Sequence, residues 1–292
     1  MVFSFACIGA YVMLLGVASF VERPAGKGFN AFQLNVLIRG GGLVVGVAAL
    51  VAIHGIGLPA PQLLLAGIGI GIIAGTASIC YCLALDYLPV SVVVAVANLY
   101  IVVTILLGVA ILHETITPLK IASLAMTLIG VLALSYSPGR HGVQPGKPAT
   151  KSKLQLRPFV ILAVYVALVG ISTFLEKPAL QGLDATQLNA LQGIGMGVVA
   201  FIALFVRGGS LQLTKHALEG ALVGAIIGVA SIFYFLGLQG LPLSIAAATS
   251  NAYMVVTILL ATLVLHEVLA WPKRIGIFLT LLGVTLLAYS AG

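Results

Sequence analysis

Apolar positions in this chain fall in long continuous runs, not in the one-sided stripe of a soluble helix. Ten runs stand out, at about 2–26, 31–53, 62–85, 90–112, 118–136, 158–180, 185–206, 217–239, 243–265 and 271–289. Each is close to the roughly 20 residues that a helix needs to cross a bilayer. The longest polar stretch, Ser137–Arg157, holds Pro138, Gly139, Pro145, Gly146, Pro148 and five basic residues. The pattern predicts an all-α integral membrane protein: five transmembrane helices in residues 1–136, a basic linker at 137–157, and five more helices in 158–292.

The two sets of five repeat each other. Phe20-Val-Glu-Arg-Pro-Ala25 returns as Phe174-Leu-Glu-Lys-Pro-Ala179, and Gln33-Leu-Asn35 as Gln187-Leu-Asn189, both at an offset of 154. Further on the offset is 153, and Asn98–Glu114 matches Asn251–Glu267 at 11 of 17 positions. An odd number of crossings per half makes the second half enter the bilayer from the opposite face. The reading is therefore two inverted five-helix repeats, the arrangement that sets a site near the midplane and supports alternating access.

Composition agrees. Charged residues make up 7% of the chain, against roughly 25% in soluble domains. The net charge of +7 would point to nucleic acid in a soluble protein. Here the basic residues lie mostly between apolar runs, so they read as membrane flanks, and no nucleic-acid partner is expected. With Arg39 counted as intramembrane, the linker side carries eleven Lys and Arg residues and the other side only Lys120 and Lys177. The positive-inside rule then puts the linker in the cytoplasm and both termini outside. No positive stretch follows Met1 to mark a cleavable signal. Cys7, Cys80 and Cys82 lie inside apolar runs and read as small core residues.

Glu22 and Glu176 are the sharpest candidates for function. A carboxylate within a span is costly and marks function by default, and each is followed two residues later by a proline that frees a backbone carbonyl. The alternative is a solvated helix end. Arg39 and Glu22 differ in depth by roughly 5 Å at helical rise, so Arg39 is expected to hold Glu22 ionised. Gly193 stands where Arg39 would fall in the second half. A buried carboxyl with no fixed cation takes up a proton more readily, which makes Glu176 the better candidate for proton coupling or cation binding.

Asn98, Asn251, Tyr100 and Tyr253 on helices 4 and 9 could orient a polar ligand, or simply join helices. Ser78, Ser231, Tyr81 and Tyr234 follow the glycine faces Gly67/Gly71/Gly75 and Gly220/Gly224/Gly228, and could reach the same cavity. The glycines themselves read as close helix packing. Asn35 and Asn189, on helices 2 and 7, are candidates of the same kind, and Gln33 and Gln187 are weaker ones. His113-Glu114 and His266-Glu267 read as boundary anchors or gate contacts, since no third ligand stands near for a metal. The chain has no phosphate loop, no nucleophile elbow and no zinc-protease motif. An enzyme, a cofactor and an ATP-driven pump are not expected.

These features resemble the EamA family of the drug/metabolite transporter superfamily: ten spans, a five-plus-five duplication, Leu112-His-Glu114 and Leu265-His-Glu267 closing helices 4 and 9, and late glycines Gly130 and Gly283 in helices 5 and 10. The chain departs from the family in lacking its proline in helices 4 and 9, and in having His where members often have Gly before the acidic residue. The resemblance implies a carrier with a central cavity. It also implies cytoplasmic termini, the reverse of the charge count.

The sequence is thus read as a multi-pass carrier of the cell's inner membrane. It would move a small metabolite, such as an amino acid or a related polar or amphipathic solute, along a gradient, with protons or another coupling ion as partners. The alternatives are a proton-coupled exporter of organic cations or drugs using Glu22 and Glu176, and a membrane scaffold that moves nothing.

Overall fold

The computed structural model describes residues 1–26, 28–55, 57, 59–115, 117–135, 156–211, 215–266 and 270–291. It is all helical, and ten segments are long and apolar enough to cross a membrane. The first half contributes α1 (Val2–Ala25), α2 (Ala31–His54), α3 (Pro61–Leu85), α4 (Val90–Ala97), α5 (Tyr100–Leu112) and α6 (Pro118–Ser135). The second contributes α7 (Leu156–Ala179), α8 (Ala185–Val206), α9 (Lys215–Gly240), α10 (Leu243–Ser250), α11 (Tyr253–Val264) and α12 (Trp271–Ala291). Linker residues 137–155 lie outside the described residues, while Leu156 and Arg157, read as its last two residues, already belong to α7.

Two expected spans are not continuous helices. The fourth is broken between α4 and α5, and the ninth between α10 and α11. Each break falls at a repeated asparagine. Asn98 Nδ2 donates to Val94 O at 2.7 Å and Asn251 Nδ2 donates to Ala247 O at 2.9 Å. The side-chain amide thus adds a donor at a carbonyl beside the break, joining Asn98 N on Val94 O and Ser250 Oγ on Ala247 O, so that backbone polar groups stay paired at membrane depth.

Packing is traded between the halves. α1 lies on α9 and α11 as α7 lies on α3 and α5, and α2 meets α9 as α8 meets α3. The detail repeats as well. A Cβ on Gly16 would meet Val256 Cβ at 2.5 Å, and one on Gly170 would meet Val103 Cβ at 2.5 Å. Thr257 Oγ1 donates to Gly16 O at 3.1 Å and Thr104 Oγ1 to Gly170 O at 3.3 Å. The expected glycine faces are packing faces: Gly67, Gly71 and Gly75 press on α8, and Gly220, Gly224 and Gly228 on α2. Small residues let the backbones approach this closely. Beside these contacts, α6 and α12 pair with each other through Gly130 against Thr280 and Gly283 against Thr127.

Candidate functional site

A cavity of about 490 Å³ lies between the halves, and a lobe of about 170 Å³ adjoins it. The two share Tyr11, Arg39, Tyr100, Thr173, Glu176 and Gln192 in their walls. The structure brings all eleven sequence candidates to this space. Glu22, Arg39, Ser78, Tyr81, Asn98, Tyr100, Glu176, Asn251 and Tyr253 line the larger part, and Ser231 and Tyr234 line the smaller.

Glu176 is only 6% exposed, and Gln192 Nε2 donates to its Oε1 at 2.8 Å. The second carboxyl therefore has a neutral partner and, among the described residues, no ion pair. No sequence signal marks Gln192 as that donor, since its first-half counterpart, Ile38, is apolar. The expected contact between Glu22 and Arg39 is corrected: Arg39 Nε instead donates to Asn35 Oδ1 at 3.3 Å. Asn35 Nδ2 in turn donates to Ser78 Oγ at 3.2 Å. Glu22 and Arg39 line one cavity, and among the described residues they form no ion pair. Residues i and i+4 of one helix meet more readily than residues on two helices, so Asn35 takes the guanidinium's Nε.

Six tyrosines stand in the walls: Tyr11, Tyr81, Tyr100, Tyr165, Tyr234 and Tyr253. Tyr11 and Tyr234 stand 5.1 Å apart between ring centroids, and Tyr81 and Tyr165 stand 5.4 Å apart at nearly the same tilt. The two pairs are repeat mates at offsets of 154 and 153. Tyr11 and Tyr165 were missed in the sequence, although their repetition at 154 was there to find. Asn251 Nδ2 also donates to Tyr100 Oη at 3.2 Å, a hydrogen bond between the halves.

Gln33 and Gln187 belong to helix starts. Each closes a capping box, with Asn30 and with Asp184 respectively. Asp184 Oδ1 accepts Thr186 N at 2.8 Å, Gln187 N at 2.9 Å and Thr186 Oγ1 at 2.6 Å, and Oδ2 lies 2.6 Å from His54 Nε2. Partial burial pushes this carboxyl up, but the donors and His54 outweigh it and hold the group below the usual carboxylate range.

The two ends of the cavity differ. The larger part reaches Glu22, Ala31, Cys82 and Leu85, near the ends of α1, α2 and α3 on the linker side. At the opposite end every residue of α10 is buried, whereas Val90, its counterpart on α4, is 63% exposed. Two side chains clamp the turn between α9 and α10 there. Lys177 Nζ donates to Leu238 O at 2.6 Å, Leu241 O at 2.8 Å and Gln239 O at 3.3 Å. A cation at a helix C-terminus meets unpaired carbonyls and the negative end of the helix dipole. Glu114 accepts from Leu243 N, Ser244 N and Ser244 Oγ at the α10 N-terminus, the end where carboxylates bind well. Of the two His-Glu steps read as anchors or gates, one is thus a clamp, while Glu267 lies outside the described residues. His113 and His266 adopt left-handed backbone, with φ of 53° and 51°, the geometry glycine takes most easily. Among the described residues no group of three metal-ligating side chains forms.

The profile of the EamA-like transporter family matches residues 3–136 and 157–289. Purine permease 3 of Arabidopsis thaliana is 23% identical over 242 residues, covering 76% of this chain and 68% of that protein. A solved crystal structure, described simply as that of a protein, superposes with a TM-score of 0.80 at 16% identity, over 99% of this chain and 97% of the other. That likeness speaks for the fold alone.

Proposed function

The chain belongs to the EamA-like transporter family, and we propose that it is a gradient-driven secondary transporter of a small polar or amphipathic metabolite. The family and the permease relative point to a membrane transporter rather than an enzyme. The observation that carries the reading is the cavity between the halves, lined by charged and amide groups among tyrosines, with the α9–α10 turn held by Lys177 and Glu114. A few polar groups on an otherwise apolar wall orient a small solute.

Exchange of packing between the halves, with five spans in each, supports inverted repeats. In that geometry the clamp at the α9–α10 turn opens as its mirror closes at the α3–α4 turn, giving alternating access. Glu176, buried beside a neutral donor, is the coupling group, with the proton as coupling ion. The membrane is the cell's inner membrane.

A counterflow screen in proteoliposomes tests this, with amino acids, sugars, organic cations and adenine as solutes. Saturable exchange of at least one class supports the carrier. No exchange of any class favours a scaffold. A second reading, an exporter of organic cations, has the tyrosine-lined walls and two carboxyls in its favour, since aromatic faces attract cations. Competition between protons and a lipophilic cation for the purified protein would single it out.

A further inference from the structure

Arg39 projects into the cavity from within a span. Its Nε is held by Asn35. Among the described residues its terminal nitrogens have neither a hydrogen-bond nor an ion-pair partner. Arg207 shows the contrast, since its Nη1 lies 3.0 Å from Asp86 Oδ2. A guanidinium at membrane depth is costly and normally pairs with an anion or faces a cavity. Its planar fork matches a carboxylate through two parallel hydrogen bonds.

Two carboxyls share this space: Glu176, which accepts from Gln192, and Glu22, which lines the larger part with Arg39 and, among the described residues, forms no ion pair with it. Opposite charges held apart in one cavity complement a guest that carries both signs. The second half cannot supply an equal site, because Gly193 occupies the position of Arg39 and Gln192 supplies an amide beside Glu176. The cavity therefore has one anion receptor, not two. Beside it, the tyrosine pairs offer flat apolar walls.

We propose that Arg39 is the carboxylate receptor of the cavity, with Glu22 facing the ammonium of the same guest, so that the solute class is an amphipathic zwitterion with a single carboxylate. This deepens the transport reading and rests on its cavity.

The test is equilibrium binding to the purified full chain in detergent, using phenylalanine, 3-phenylpropionate, 2-phenylethylamine and adenine as probes. The expected order is phenylalanine first, then 3-phenylpropionate, with 2-phenylethylamine weakest of the three. Arg39→Gln should weaken both carboxylates at least tenfold and strengthen 2-phenylethylamine. Glu22→Gln should do the reverse, strengthening 3-phenylpropionate while phenylalanine loses its advantage; this second variant decides the matter if the first does not fold. Equal binding of the amine and the carboxylates, no carboxylate binding to the wild type, or adenine binding alone and untouched by Arg39→Gln overturns the receptor. Flux is measured beside binding. The expected binding pattern without flux overturns the transport reading and leaves the receptor standing. Adenine flux without carboxylate binding does the opposite.

Discussion

Gln192 donates through Nε2 to Oε1 of Glu176 at 2.8 Å, within a wall where both side chains are only 6% exposed. One oxygen of the carboxyl is thus fixed, and the other has no hydrogen-bond partner among the described residues and can take a proton or a solute. Glu176→Gln removes the titrating group but keeps its shape, so the variant should fold normally and transport without pH dependence. Gln192→Leu leaves the carboxyl without its donor. A hydrogen bond to a charged group contributes about 1.5–3 kcal/mol, so this variant should shift the pH profile of transport while Glu176→Gln abolishes it. A normal pH profile in Glu176→Gln rules out the coupling role.

The contact of α2 with α9 gives a prediction about stability alone. A Cβ on Gly41 would run into the carbonyl oxygen of Ala221, whereas one on Gly69 would meet nothing within 4 Å. Backbone cannot yield as a flexible side chain does, and overpacking a core typically costs about 1–3 kcal/mol. Gly41→Ala should lower the melting temperature in detergent by several degrees, and Gly69→Ala should leave it nearly unchanged.

Closure at the α9–α10 turn depends on Glu114. Glu114→Gln keeps one acceptor oxygen but loses the charge that favours the helix N-terminus, and with it the acceptor either of Leu243 N or of the two Ser244 donors. In a background with Cys7, Cys80 and Cys82 replaced, a cysteine at Ala246 should be protected from a membrane-impermeant maleimide. Adding Glu114→Gln should speed its labelling. Equal rates would mean that the clamp does not seal this end.

Asp184 gives a pH dependence of known sign. Its carboxyl sits below the usual range in the folded chain, so its contribution is fully present above the unfolded value of about 3.9. It is lost as pH falls through the lower folded value. Asp184→Asn should therefore flatten the acid limb of the melting-temperature profile below about pH 4, with the two proteins converging at the acid end.

Much of the site was legible because the chain writes it twice. Asn98/Asn251, Tyr100/Tyr253 and Ser78/Ser231 were found through their offsets, and all reach the cavity. Span count followed from run length alone. What resisted reading was of two kinds. Helix breaks at Asn98 and Asn251 lie inside unbroken apolar runs, where hydropathy is blind to a carbonyl satisfied by a side chain. Partners chosen by tertiary geometry were also hidden. Nothing local says that Arg39 turns to Asn35, that Gln192 finds Glu176, or that Lys177 reaches carbonyls more than 60 residues away.

The central claim is that the space between the halves is the solute's path. Thr173, on its wall beside Glu176, is the place to block it. Thr173→Trp fills part of the cavity and leaves the clamp at Lys177 and Glu114 intact. Counterflow of whichever solute the wild type exchanges in proteoliposomes is predicted to fall at least tenfold in this variant, with folding preserved by size exclusion and melting. Undiminished counterflow through a protein filled in this way would contradict the account.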